Sequence, residues 1–144
     1  GDAYVFAVLY AVSSGASHSA QYALAEMLRA AADGELDFVT AAAEYARRAS
    51  VTKKMFKENG FHIVYDMDGD EPVSDGFFYT VGYEGLSSGE LMGELIRYGI
   101  STIALSTTGS RQDGVRICVS QLNRPEQFDL LEERLRLFAI DHIL

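Results

Sequence analysis

At Gly60 the spacing of apolar residues changes, and this change limits the folds open to the chain. Upstream of it, Phe38, Ala42, Tyr45, Ala49, Thr52 and Phe56 recur at steps of four and three, one stripe of a helix. Downstream, Phe61, Ile63 and Tyr65 alternate with His62, Val64 and Asp66, the period of a strand. A chain that carries both periods in blocks must pack helices against a sheet.

The remaining signals extend that pattern. His18 to Ala32 is rich in Ala, Leu, Glu and Met and stops at Asp33-Gly34, which predicts a first helix. The second runs from about Glu35 to Asn59 and ends on Gly60. Phe77 to Tyr83 is dense in aromatic and β-branched residues and forms the second strand. The connection Asp68-Gly69-Asp70-Glu71-Pro72 has the length and turn residues of a hairpin loop, so these two strands pair antiparallel.

Ser87 stands three residues before Glu90 as in a capping box, and Leu91, Met92, Leu95 and Ile96 follow on one face of a third helix that Gly99 closes. Strands are expected over Ile100 to Ser106 and Gly114 to Ser120, with a polar loop from Thr107 to Asp113. Pro125 opens a last helix with the stripe Phe128, Leu131, Leu135, Phe138 and Ala139. The fold class is α+β: a small, mostly antiparallel four-stranded sheet with helices packed on one face. Residues 1–34 read as a connecting segment with the first helix, and 35–144 as the small domain. The apolar run Ala3 to Val12 lacks a basic flank and is far shorter than the roughly 20 residues that span a bilayer. It reads as a segment that is buried or packs on another surface, and the initial glycine leads us to expect sequence upstream.

Charge narrows the partners. Twelve Lys and Arg against 21 Asp and Glu give a net charge of -9, a surface that repels phosphate backbones and anionic headgroups, so neither nucleic acid nor membrane is expected. The lone cysteine, Cys118, cannot form an internal disulfide and fits the cytoplasm.

Asp66, Asp68 and Asp70 alternate like the first ligands of a calcium loop, yet Glu71 and Phe77 stand where that loop needs glycine and glutamate. No metal site is expected. Ser50-Val51-Thr52-Lys53 has the spacing of a serine acylase, but Lys53, Lys54 and Lys57 lie at the edge of the helical stripe beside Arg47 and Arg48, and a solvated surface role is expected for them. His18, His62 and His142 are scattered, which leaves Cys118 a small, semi-buried strand residue rather than a nucleophile. Asp75-Gly76-Phe77-Phe78 faintly follows the aromatic strand of RNA-recognition modules, with Asp75 where a base belongs. No catalytic residue is expected in this chain.

In Gly114-Val115-Arg116-Ile117-Cys118-Val119-Ser120, alternation places Val115, Ile117 and Val119 under the helices and Arg116, Cys118 and Ser120 on the other face. A guanidinium there suits a bidentate carboxylate or phosphate. A salt bridge to a neighbouring acidic side chain accounts for it equally well.

Together these features resemble the C-terminal third of class I/II, fold-type I aminotransferases over nearly the whole chain. The landmarks are Gln21 near the start of a helix, Tyr45 to Arg48 on the long helix, Gly60, Gly76 to Phe78, Gly99-Ile100 and the strand Val115 to Ile117. The resemblance implies that residues 35–144 are the small domain of a pyridoxal-phosphate-dependent enzyme. In it, Arg116 grips the substrate α-carboxylate while an amino group passes between an amino acid and a 2-oxo acid. It also implies that the Schiff-base lysine and the rest of the cofactor site lie in a large partner domain, that the whole enzyme is a cytoplasmic homodimer, and that this piece binds no cofactor and is inactive alone. Ser106-Thr107-Thr108-Gly109 departs from the family's Pro-Gly pair before the arginine strand. The alternative is a stand-alone α+β module for ligand binding or dimerisation, with Arg116 as a structural or anion-binding residue.

Overall fold

A computed structural model describes residues 1–73 and 76–142, the side chains of Phe6 and Ala41 excepted. Asp75 therefore lies outside the described residues. The chain divides into two compact units, Gly1–Ala41 and Ala42–Leu144. In the first, α1 (Asp2–Tyr4), a π-helical stretch (Val5–Leu9) and α2 (Tyr10–Ser13) run on from one another, and α3 follows (His18–Ala32). The apolar run is helical but not buried: Val5, Leu9, Tyr10 and Val12 are all exposed.

The long helix, α4, covers Val39–Glu58, starting later than Glu35. Asp37 supplies the reason. Its carboxylate accepts hydrogen bonds from the backbone N–H groups of Val39 (2.9 Å) and Thr40 (3.1 Å), the task of an N-terminal cap. Phe38 is consequently outside the helix and exposed, and the buried stripe begins further along, with Ala49, Thr52 and Phe56.

Four strands make one antiparallel sheet in the order β1 (Phe61–Ile63), β4 (Phe78–Tyr83), β6 (Val115–Cys118), β5 (Ile103–Ala104). The connection between β1 and β4, expected as a hairpin loop, holds a ribbon of its own, β2 (Met67–Asp68) against β3 (Glu71–Pro72). Gly69 turns it at φ 61°, as a type II′ hairpin needs at its first central residue. After β4 come α5 (Ser88–Arg97) and, following β6, α6 (Pro125–Asp141). Tyr79, Val81, Val115, Ile117 and Val119 form the inward face, and Phe56 of α4, Leu91 and Leu95 of α5, and Leu135 and Phe138 of α6 meet it in one core. Ile96 does not belong to that face and is exposed.

The strands are shorter than expected, β6 keeping Val115–Cys118 of Gly114 to Ser120. Of Ile100 to Ser106 only Ile103 and Ala104 pair: residues 100–102 before them join no ladder, and after them Leu105–Thr108 winds into a 3₁₀ helix. The Thr108 hydroxyl donates to the Leu105 carbonyl at 2.8 Å, a local bond that competes with the ladder. The capping box at α5 is present: the Ser87 N–H and hydroxyl both donate to Glu90, at 3.0 and 2.6 Å. Ser88 is buried and adds a tie that spacing did not show, donating to Asp113 and accepting from the Gly114 N–H at 3.0 Å. The last residue of the polar loop thus fixes α5 to the start of β6.

Glu44 on α4 accepts from Arg47 through Nε and Nη2 and from Arg48 through Nε, each at 2.9 Å. These bonds, Arg47's first, pull its carboxyl down from 4.5 to about 2. A depressed carboxylate stabilises the fold fully above 4.5 and ceases to do so as pH falls toward 2. Glu44→Gln should therefore lose less Tm than the wild type between those two pH values, by a modest margin because the cluster is exposed. Melting curves across that window check it; parallel curves would count against the bonds.

Candidate functional site

The register sets what stands beside Arg116. Thr80 is its partner on β4 and Ile103 its partner on β5, while Phe78 pairs with Cys118 one pleat further on. Phe78, Thr80, Arg116, Cys118 and Ile103 thus share the sheet's outer face, and the Arg116 guanidinium lies over the Phe78 ring at 4.3 Å, a cation–π contact. Arg116 is half-buried and forms no ion pair with any described residue. The internal salt bridge that the sequence left open is absent among them.

Ladder pairing with β5 stops at Arg116, so Ile117 and Cys118 stand at an open sheet edge. Beside that edge the turn after α5 and the first half of α6 enclose a pocket of about 540 Å³. Arg116, Phe78 and Cys118 line it from the sheet, Ile100 and Thr102 from the turn, and Leu131 from α6. Cys118 is exposed rather than semi-buried, for it sits on the outer face at the unpaired edge, and its thiol meets the Ser120 hydroxyl at 3.1 Å.

Sequence reasoning missed a second cation. Arg134 of α6 also lines the pocket, half-buried, with Nη1 donating to the Gly99 carbonyl at 2.6 Å. It stands three residues after Leu131 and four before Phe138, on the buried stripe itself, and that position was the available signal. The Thr102 hydroxyl, also in the lining, is buried without a hydrogen-bond partner.

The other candidates lie apart from this pocket. Lys53 is not a solvated surface lysine: it is half-buried, pairs with Asp66 at 3.5 Å and reaches over the Tyr79 ring at 5.6 Å. Lys57 shares Asp66 at 3.4 Å. That aspartate is drawn into cation pairing with α4, while Asp68 and Asp70 belong to the exposed ribbon. No group of acidic, histidine or cysteine side chains among the described residues is placed to hold a metal ion. No helix among them is long and apolar enough to cross a membrane.

No protein-family model matches the chain, and no curated protein matches it. Among solved structures it is similar to the aminotransferase Aro9 from C. albicans, crystallised with ligands, at 18% identity and a TM-score of 0.49. That alignment covers 69% of this chain and 24% of the other, so the chain spans about a quarter of that protein's length.

Proposed function

We propose that this chain is the small domain of a cytoplasmic, pyridoxal-phosphate-dependent aminotransferase, in which Arg116 grips the α-carboxylate of the amino acid and 2-oxo acid substrates. The observation that carries this reading is the state of the guanidinium: half-buried on a strand, laid over Phe78, and without a carboxylate partner among the described residues. Burial weakens its hydration, and its planar fork can recover that loss through two parallel hydrogen bonds to an arriving carboxylate. A strand holds the fork in one direction, which is what orienting a substrate requires. The order of landmarks from Gln21 to Ile117 supports the same reading.

The residues around Arg116 do not fit the cofactor itself. Its Schiff base needs a lysine, and the chain's lysines, Lys53, Lys54 and Lys57, all stand on α4, paired with Asp66 or Glu58, none of them lining the Arg116 pocket. In this reading the cofactor and its lysine belong to a large domain of the same homodimeric enzyme. This chain contributes the substrate anchor and is inactive alone.

Arg116→Lys in the complete enzyme tests the assignment. Lysine keeps the charge but loses the fork, and each lost charge-assisted hydrogen bond costs roughly 1.5–3 kcal/mol. At about 1.4 kcal/mol per factor of ten, kcat/KM should fall on the order of ten- to several-hundred-fold, with cofactor binding little changed. Wild-type kinetics in the variant would show that the role belongs elsewhere.

A further inference from the structure

Arg29, Arg47, Arg48, Arg97 and Arg136 each pair with a glutamate on their own helix. Arg116 is held differently. Its guanidinium carbon lies 4.3 Å from the centre of the Phe78 ring, and no described residue takes any of its side-chain N–H groups. Its neighbours on the outer face, Phe78, Thr80, Cys118 and Ile103, include no carboxylate.

The partner decides what the guanidinium keeps for a ligand. A carboxylate would hold it by accepting its hydrogen bonds, and would so occupy the fork that a ligand must use. An aromatic ring attracts the cation through the quadrupole of its face and leaves the N–H donors at the guanidinium's edge unspent. Arginine otherwise samples many rotamers, and ordering it when a ligand arrives costs affinity; a ring that orders it beforehand removes that cost.

The ring is itself fixed. Phe78 stands opposite Cys118 in the ladder, so its backbone moves with the strand that carries Arg116. Phe77 meets it edge-on at 6.3 Å, and Tyr45 of α4 meets Phe77 edge-on at 4.6 Å. Arg48 in turn lies over the Tyr45 ring at 5.4 Å and donates to the Ser120 carbonyl, just past β6, at 3.1 Å. A row of rings therefore runs from α4 to Arg116, tied at both ends to the β6 segment.

We propose that Phe78 is a positioning residue, whose ring orients the Arg116 guanidinium before a substrate carboxylate arrives and does so without occupying the fork. The role rests on the reading of Arg116 as substrate anchor, and adds to it a requirement for an aromatic side chain at position 78.

Phe78→Leu keeps apolar bulk but loses the ring, whereas Phe78→Tyr keeps the ring. Phe78 is exposed, so both variants should fold, which melting curves verify. In the 144-residue chain, NMR relaxation of the Arg116 Nε–H group should give an order parameter above about 0.6 for the wild type and Phe78→Tyr, and below it for Phe78→Leu. In the complete enzyme, Phe78→Leu should raise KM about three- to thirtyfold and change kcat less than about twofold, because lost pre-organisation weakens carboxylate binding equally in the ground and transition states. The rise should be alike for amino acids of different side chain, since they share the α-carboxylate, and Phe78→Tyr should restore most of the affinity.

An order parameter that is low in the wild type or unchanged in Phe78→Leu overturns the proposal and leaves the anchor assignment standing, as does an unchanged KM. Equal losses in Phe78→Leu and Phe78→Tyr, or a loss confined to one class of substrate side chain, also overturn it, for the side chain would then be acting through packing or direct contact with substrate. Wild-type kinetics in Arg116→Lys would instead remove the anchor assignment itself, and the role of Phe78 with it.

Discussion

Phe138→Ala should cost about 3–5 kcal/mol and lower the melting temperature by on the order of 20 °C. Phe138 is fully buried on α6, and four rings surround it: Phe61 at 5.1 Å, Tyr83 at 5.2 Å, Tyr98 at 5.5 Å and His142 stacked at 4.1 Å. Truncation removes the transfer energy of the ring and leaves a cavity that stiff aromatic neighbours cannot close. It also removes edge-to-face contacts with Tyr83 and Tyr98, worth roughly 0.5–1.5 kcal/mol per pair beyond their area. Since domains of this size hold only about 5–15 kcal/mol in total, a large share of the stability should disappear. Leu137→Ala, one residue earlier and 50% exposed, is the control and should cost well under half as much. Equal losses in the two variants would mean that α6 presents a different face to the sheet.

The contrast between these neighbours was legible in the sequence, because the stripe Leu131, Leu135, Phe138 has helical spacing and Leu137 falls off it. Local chemistry was legible too. The Ser87–Glu90 capping box, proline at the start of α6 and Gly99 in the left-handed region after α5 are each decided within a few residues. What the sequence concealed depends on partners far along the chain. Lys53 stands at the rim of its helical stripe, and only the fold brings Asp66, beyond β1, beside it and Tyr79 of β4 beneath its ammonium group. Ile100 to Ser106 has strand composition, but three consecutive hydroxyl residues at its end favour a turn over the ladder.

The candidate site divides in the same way. Strand alternation placed Arg116 on the outer face and Val115, Ile117 and Val119 in the core, and the burial of those residues follows that alternation. The pocket could not be read, since its walls come from Phe56, Phe78 and residues within 99–103, 116–118 and 122–134, which meet only through the order β4-β6-β5 and the return of α6. A two-residue β5 is what leaves the β6 edge open there. Had all of Ile100 to Ser106 paired, Ile117 and Cys118 would have been covered by backbone and the pocket closed. The shortfall in strand length and the existence of a site are therefore one structural fact.

Gly114→Ala should be the most damaging single-atom change in the chain, costing about 3–5 kcal/mol or preventing accumulation of folded protein. Gly114 holds φ at 145°, a conformation that side chains rarely adopt, and a methyl group there would lie 2.5 Å from the Val81 carbonyl oxygen and 2.9 Å from Val64 Cγ2. The carbonyl cannot retreat, because Val81 is paired with Val115 in the ladder next to it. Nor can Gly114 swing away freely, since its N–H donates to the buried Ser88 hydroxyl at 3.0 Å and its carbonyl accepts from Leu105 at 2.9 Å. Two other glycines separate the contributions. At Gly109, φ is 83° with open space around it, so Gly109→Ala should show the backbone strain alone, roughly 1–2 kcal/mol. At Gly82 an added methyl meets the His62 ring at 2.5 Å, but His62 is an exposed side chain that can rotate aside, so Gly82→Ala should be far milder than Gly114→Ala. Denaturant midpoints for the three variants give the order Gly114, then the other two. If Gly114→Ala melted with Gly109→Ala, the close approach of β6 to Val81 would be wrong, and with it the placement of Arg116 two residues further along the same strand.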